Sequence, residues 1–400
     1  MESRDVEAAA KRLQGKIHNI HVSSSQTFST MSGCELYLKC ENRQKTGSFK
    51  VRGAYNKLAI LKENGGCERV IASSAGNHAQ GVSFASAQLG MQATIVMPKS
   101  TPIAKVSATQ GYGAEVVLAG DNYDECYEEA KRIQEEKQAI FIHPFDDEDV
   151  IAGQGTIAYE ILHDLPNCDV IVVPAGGGGL LSGISFYAKQ INPRIKIVGV
   201  QAEGADAIVQ SFKQGKHCST ASVNTIADGI AVMNPGDLTV KMIQENVDEM
   251  VTVSDDEIAS TILLLLEREK QVVEPAGASS LAAVLNHKID VEGKRVVCVL
   301  SGGNIDVSFI HKVVEKGLVT RGRNMKFKTP MLDVPGSLEK MAHILHEANA
   351  NIIEVRYDRI QADLNLNETI IHIGVEVSSK EHGAKMIAML EENGYEITLE

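Results

Sequence analysis

One lysine stands in a setting that can make its amine reactive. The run Thr46-Gly47-Ser48-Phe49-Lys50-Val51-Arg52-Gly53-Ala54 surrounds it with small and apolar residues. A lysine that loses hydration can be neutral near pH 7, and a neutral amine can form a Schiff base with a carbonyl. Downstream, Ser73-Ser74-Ala75-Gly76-Asn77-His78 supplies hydroxyls, an amide and an imidazole. Farther on, Gly176-Gly177-Gly178-Gly179-Leu180 follows an apolar run and opens a helix at Leu180. Four glycines let backbone N–H groups converge on a phosphate, and the helix N-terminus adds partial positive charge. A dinucleotide loop is the rival reading, with Glu203 at about the spacing of a ribose-binding acid. No register gives Gly-x-Gly-x-x-Gly, because the third position falls on Leu181 or Ser182. The pattern therefore reads as carbonyl chemistry at Lys50 beside a phosphate site.

The elements that must position these residues alternate. Val70–Ala72, Ala93–Met97, Glu115–Leu118, Val170–Val173 and Ile195–Val200 are short β-branched or apolar runs separated by helical stretches. Such runs imply parallel strands buried on both faces, an α/β architecture. Gly90 can cap the helix that follows Asn77, and Ser254-Asp255-Asp256-Glu257 is a capping box. After about Leu318 the character changes, and Arg321, Arg323, Lys326 and Lys328 read as a basic, exposed connection. Beyond it come a strand ending at Asp333-Val334, a Pro335-Gly336 turn, and a helix carrying Leu338, Met341, Ala342 and Leu345. Strands follow at 352–357 and 371–377, then a helix opened by a capping box at Ser378-Ser379-Lys380-Glu381 and ended by Gly394, and a last strand at 395–399. That order, βαββαβ, is ferredoxin-like.

Four hundred residues with a net charge of −13 make a two- or three-domain protein and argue against nucleic acid or an anionic membrane as the main partner. The charged start carries no apolar signal segment, and no stretch approaches the length needed to span a bilayer. Seven cysteines, at 34, 40, 67, 126, 168, 218 and 298, form no CxxC pair. Scattered and odd in number, they read as reduced thiols of a cytoplasmic protein without a structural zinc.

Ser-Phe-Lys-x-Arg-Gly-Ala, the Ser74–His78 segment, the tetraglycine, Glu274-Pro275-Ala276-Gly277-Ala278 and Ser301-Gly302-Gly303-Asn304 together resemble the pyridoxal-phosphate enzymes of the threonine dehydratase and serine racemase group. The resemblance covers residues 35 to 306. It implies a catalytic region over residues 1–320 of the tryptophan-synthase-β-like type, with two open parallel sheets and a smaller subdomain at about 52–150. It implies pyridoxal 5'-phosphate as cofactor, held by Lys50 as the Schiff-base lysine, with Phe49 packing beside it. Asn77 would meet the cofactor's 3-hydroxyl, Gly176 to Gly179 and Leu180 its phosphate, and Ser301 its ring nitrogen. Ser74, Ala75, Gly76 and His78 would form the substrate side, although the lone histidine reads as structural. Serine racemases carry a serine where this chain has Ala75, and racemisation needs a proton donor or acceptor on each face. Ala75 thus favours β-elimination of L-threonine, and also of L-serine, over racemisation. Serine racemase, a serine-preferring dehydratase, or a regulatory amino-acid binder with an inactive catalytic half are the alternatives. In the racemase a divalent metal is held where this chain has Glu203, Ala207 and Val209, so one carboxylate is missing and no metal is expected. Ile20-His21-Val22-Ser23-Ser24 also replaces the group's common His-x-Thr-Pro-Leu.

Asp333-Val334-Pro335-Gly336-Ser337-Leu338 and Ala350-Asn351-Ile352 resemble the ACT domain, which would occupy residues 325–400. The resemblance implies an amino-acid effector bound near Pro335, Gly336 and Asn351, and a homodimer or homotetramer.

Overall fold

The computed structural model describes residues 1–66, 68–359, 365 and 367–400; Cys67 lies outside them. The chain divides into two compact units, Met1–Asp306 and Val307–Glu400. Among the described residues no helix is long and apolar enough to cross a membrane, and the six described cysteines are free.

The first unit holds two open sheets. The larger has the strand order Ser23–Ser24, Glu35–Lys39, Arg295–Val299, Val170–Pro174, Lys196–Ala202, Glu249–Val253. All neighbours run parallel except the short antiparallel edge pair at its start. The smaller sheet has the order Glu115–Leu118, Gln92–Met97, Arg69–Ser73, Ile140–Phe141, parallel throughout. Its strands fall in the sequence between the second and third strands of the larger sheet, so this layer is an insertion. Val170–Pro174 is buried along its whole length, as expected of a strand with helices on both faces.

Glycines set the distances between the helices. A Cβ on Gly153 would lie 2.6 Å from the Gly53 Cα, and one on Gly183 2.6 Å from the Gly155 nitrogen. The helices Lys50–Glu63, Glu148–Asp164 and Gly179–Ile191 therefore touch backbone to backbone. Gly81, on the helix Asn77–Leu89, does the same against Lys50, whose carbonyl carbon and oxygen would both be 3.1 Å from an added Cβ. Even a methyl group at these crossings would push the helices apart.

Beneath the start of the Lys50 helix lies a buried charge cluster. The fully buried Arg52 guanidinium donates to both Glu41 oxygens at 2.8 Å, to the Glu160 oxygens at 2.8 and 2.7 Å, and to Thr156 Oγ1 at 3.0 Å. Lys39 pairs with Glu160 at 2.5 Å and also donates to the Ile20 carbonyl. Burial alone would raise the Glu160 carboxyl, but Arg52 and Lys39 outweigh it and hold it below the usual carboxylate range. Two cations and two anions thus cancel, and all five N–H bonds of the Arg52 guanidinium are used.

In the second unit the helix Val307–Thr320 is followed by an antiparallel sheet of order Asn351–Asp358, Glu368–Glu376, Asn324–Leu332, Thr398–Leu399. The helices Ser337–Glu347 and Lys380–Glu392 complete βαββαβ. Phe327, Met341, Leu345, Ile371, Ile373, Val375, Met386 and Leu390 form its core. Three details differ from the sequence reading. Lys326 and Lys328 belong to the strand Asn324–Leu332, whose alternate residues Phe327, Thr329 and Met331 are buried, so these two lysines lie on a strand, and only Arg321 and Arg323 stand in the connection. The last strand shrinks to two residues. Ser379, not Ser378, caps the final helix through the His382 N–H at 3.1 Å, because the His382 Nδ1 occupies the Ser378 N–H and hydroxyl.

Removing Arg52 leaves Glu41 buried without its partner, a loss typically of about 3–5 kcal/mol. Arg52→Leu should lower the urea midpoint accordingly, and adding Glu41→Gln should recover part of the loss.

Candidate active site

The candidate residues gather at the C-terminal ends of the parallel strands, where open α/β sheets place ligands. The strand Arg295–Val299 leads to Ser301, Val170–Pro174 to the glycines, Arg69–Ser73 to the turn Ser74–Gly76, and Ile140–Phe141 to Pro144.

Lys50 is the first residue of its helix, with Phe49 at the N-cap. The Phe49 N–H donates to the Ser301 carbonyl at 3.1 Å, and Ser48 forms a β-bridge with Gly302. This pairing ties the lysine loop to the serine loop. The Lys50 Nζ donates to the Pro144 carbonyl at 3.0 Å and lies 5.3 Å from the Phe49 ring centroid. Burial pushes the Lys50 ammonium down to about 8, partly offset by the Glu274 carboxylate. An appreciable neutral fraction is then present in weakly alkaline solution.

Asn77 is held by a chain of amides whose orientation a single carbonyl decides. The Asn304 Nδ2 donates to the Thr46 carbonyl and to Asn77 Oδ1, both at 2.7 Å. A carbonyl only accepts, so the Asn304 nitrogen must face it, and the Asn77 oxygen must then face Asn304. The Asn77 Nδ2 is left to donate to Glu274 Oε1 at 2.8 Å, with one N–H to spare. Burial, with Asp228 adding to it, pushes the Glu274 carboxyl up to about 8 against the pull of Asn77. Gly302 leaves room for that carboxyl, since a Cβ there would sit 2.2 Å from Glu274 Oε1.

The N–H groups of Gly176, Gly177 and Gly178 bond to nothing among the described residues. Gly178, at φ +98°, turns the backbone into the helix Gly179–Ile191, whose first-turn N–H groups are also left over. Behind the loop there is no space for side chains. A Cβ on Gly177 would come 2.3 Å from the Phe145 ring, and one on Gly178 2.7 Å from Thr239 Cβ. Thr239 Oγ1 donates to the Gly177 carbonyl at 2.7 Å and so holds the loop from behind. An array of unpaired N–H groups at a helix N-terminus, backed by packed protein, fits a phosphate. Ser301 is buried, and its hydroxyl has no partner among the described residues. The set fits pyridoxal phosphate: an amine near neutrality, an amide donor, a free hydroxyl and a phosphate cradle.

Ser74, Ala75 and Gly76 are half-buried in the turn before the helix Asn77–Leu89, where Ser74 Oγ accepts the Gly76 N–H at 3.3 Å. His78 departs from this group. Its ring is buried, and its Nε2 donates to the Ile142 carbonyl at 2.9 Å. Burial, with Lys50 nearby, pushes it down to about 3 and keeps it neutral. It therefore anchors the turn and offers no group to substrate. Glu203 is exposed while Ala207 and Val209 are buried, and no cluster of metal-ligating side chains occurs among the described residues. His21 and the Val22 N–H are taken by Asp164, at 2.9 and 3.0 Å, which places this segment at the end of the helix Glu148–Asp164. Pro335, Gly336 and Asn351 lie in the second unit. Gly336, at φ +90°, is the N-cap of the helix Ser337–Glu347, and Asn351 opens its strand.

No site role is assigned to His143–Asp147 from the sequence, yet this loop supplies the acceptor for Lys50 and the ring behind Gly177. The His143 Nδ1 accepts the Asp146 N–H at 2.8 Å, and Asp146 accepts from the Thr239 N–H at 3.1 Å. The signal for it was its position directly after a strand of the smaller sheet.

The model of the family described as pyridoxal-phosphate dependent enzyme matches residues 14–302, just short of the boundary at Asp306. An L-threonine ammonia-lyase of Thermotoga maritima is 46% identical over 395 residues, covering 99% of this chain and 98% of its own. A catabolic L-threonine dehydratase of Escherichia coli is 45% identical over 311 residues, covering 77% and 94%. Among solved structures, maize serine racemase superposes with a TM-score of 0.75 at 36% identity, covering 80% of this chain and 98% of its own. With Lys50, the glycine cradle and Ser301 standing together in the matched region, the chain belongs to the pyridoxal-phosphate dependent enzyme family.

Proposed function

We propose that this chain is an L-threonine ammonia-lyase that also accepts L-serine. The observation that carries the reading is the meeting, on one cleft, of the Lys50 amine with the unpaired glycine N–H groups and a turn bearing Ala75. When bound, pyridoxal phosphate supplies the electron sink for a carbanion at the substrate α-carbon. Gly176 to Leu180 would hold its phosphate, the spare N–H of Asn77 its 3-oxygen, and Ser301 its ring nitrogen.

The protein's own part is orientation and proton transfer. The N–H groups at the start of the helix Asn77–Leu89 suit the substrate carboxylate. Lys50 Nζ, once free, takes the α-proton. The Lys50 ammonium formed in that step can give its proton to the β-hydroxyl, which leaves as water, and the released enamine hydrolyses to 2-oxobutanoate and ammonia. Serine gives pyruvate by the same steps. The resemblance to a serine racemase favours racemisation as a second reading, and Ala75 opposes it: a methyl group cannot return a proton to the face opposite Lys50.

The second unit has the strand order and connections of a ferredoxin-like module, and we read it as an ACT domain binding an amino-acid effector near Pro335, Gly336 and Asn351 in a homodimer or homotetramer. The described thiols, free and mostly buried, support a reducing compartment, and we place the enzyme in the cytoplasm.

Lys50→Ala should reduce 2-oxobutanoate formation at least ~10³-fold and abolish the absorbance of the lysine-bound cofactor; unchanged turnover would remove Lys50 from the mechanism. Ala75→Ser should produce measurable D-serine from L-serine, which chiral chromatography of the residual substrate detects, whereas the natural chain should form pyruvate without D-serine. Titration with isoleucine, valine and other amino acids should shift activity, and the shift should vanish in Gly336→Val; indifference to every amino acid would rule out the effector reading.

A further inference from the structure

The helix Ile103–Gly111, in the inserted layer, is lightly held. Of its nine residues Thr109 alone is buried, and its N-cap Pro102 supplies no side-chain cap. Ile103 is 83% exposed. Few buried contacts mean that little free energy opposes local displacement.

Both ends of this helix reach the wall built by the larger sheet. Lys105 Nζ pairs with Asp228 Oδ2 at 3.1 Å, and the Tyr112 hydroxyl, at the C-cap, donates to the Lys45 carbonyl at 3.4 Å. Lys45 precedes the Thr46–Lys50 loop. Asp228 opens the turn Asp228–Ile230, which stands directly behind the site. A Cβ on Gly176 would lie 2.9 Å from the Ile230 Cα, and one on Gly229 would face Glu274 Oε1 at 3.6 Å. The base of this turn is fixed, because Asp255 accepts from the Thr225 hydroxyl at 2.6 Å and from the Ile226 N–H at 3.1 Å. One partner of the ion pair is thus anchored and the other sits on a weakly packed helix.

We propose that Lys105 and Asp228 are positioning residues that form a reversible latch across the mouth of the cleft, closed while substrate is held and opened for entry and release by movement of the helix Ile103–Gly111. The inference rests on the reading of the Lys50 cleft as the catalytic one. The pair has the strength such a latch requires. Its side chains remain 30% and 68% exposed, so water and salt keep it weak enough to break in every turnover. A buried pair at the same place would lock the cleft. The latch also bears on Glu274, which feels Asp228 and Lys105 with opposite sign; separating them changes the charge seen by the carboxyl that holds Asn77.

The test uses the cofactor-loaded enzyme and L-threonine. Lys105→Ala should raise KM about two- to five-fold, the worth of one exposed ion pair, with kcat kept or raised. Lys105→Arg should keep the natural KM, and the exchanged pair Lys105→Asp with Asp228→Lys should return KM toward it. Added salt should raise the KM of the natural enzyme and leave that of Lys105→Ala unmoved. Amide hydrogen exchange over residues 103–111 should quicken in Lys105→Ala and not in Lys105→Arg. An unchanged KM in Lys105→Ala at both salt levels, a charge exchange no better than the single changes, or unaltered exchange would each overturn the latch. If Lys50→Ala remained active, the reading of the cleft would fail instead, and the exchange data would judge the latch by itself.

Discussion

The placement of the Lys50 helix depends on the charge cluster around Arg52. That guanidinium lies two residues beyond Lys50, fully buried, and reaches Glu41 beside the strand Glu35–Lys39 and Glu160 on the helix Glu148–Asp164. It joins the edge of the larger sheet to two helices at the point where the Lys50 helix begins. Buried ions are stabilising only when each is matched, and here Lys39 supplies the charge that Arg52 alone would leave short. Displacing any member leaves a charge in a dry place, so the helix start is confined to one position. The direction of the Lys50 amine follows from this confinement.

A second consequence concerns Asn77. Its amide is oriented through Asn304 by the Thr46 carbonyl, four residues before Lys50. The loop that presents the amine therefore also dictates which atom the asparagine presents. Phe49 and Ser48 bond to the Ser301–Gly302 loop as well, so three of the groups proposed to face the cofactor are referred to one short stretch of backbone. Cutting that stretch loose would blur all three together.

Much of this was legible in the sequence, and the limits have physical causes. Strands buried on both faces appear as continuous apolar runs, and Val70–Ala72, Ala93–Met97 and Val170–Val173 were recovered with boundaries within a residue or two. Glu35–Lys39 escaped because its Lys39 is buried by pairing with Glu160; in sequence a charged residue in a strand looks like a surface. Lys326 and Lys328 failed in the opposite way, since their charge drew attention from the alternating Phe327, Thr329 and Met331 that define a half-buried strand. The glycines were readable because a Cβ at Gly177 or Gly178 would strike Phe145 or Thr239; Lys50 stood out by its small and apolar neighbours, and Ser301 by the family resemblance alone. The Pro144 carbonyl and the amide chain through Asn304 were not readable, because main-chain acceptors leave no mark in the side-chain code and the partners lie far apart along the chain, as Thr46 and Asn304 do.

The glycine contacts among Gly53, Gly153, Gly155 and Gly183 bear on how such a protein can diverge. Where two backbones touch, no side chain can be exchanged for another on either helix, so these crossings offer evolution no intermediate steps. The turn Ser74–Gly76 is different: it is half-buried, has open space beside Gly76, and lies at the end of a strand that would hold its place whatever the loop carried. Descent with modification would then keep the spine of glycines and the Arg52 cluster fixed while trying new residues on the side proposed for substrate. A lineage could acquire a different reaction by changing one residue such as Ala75, without rebuilding the scaffold that aims the lysine.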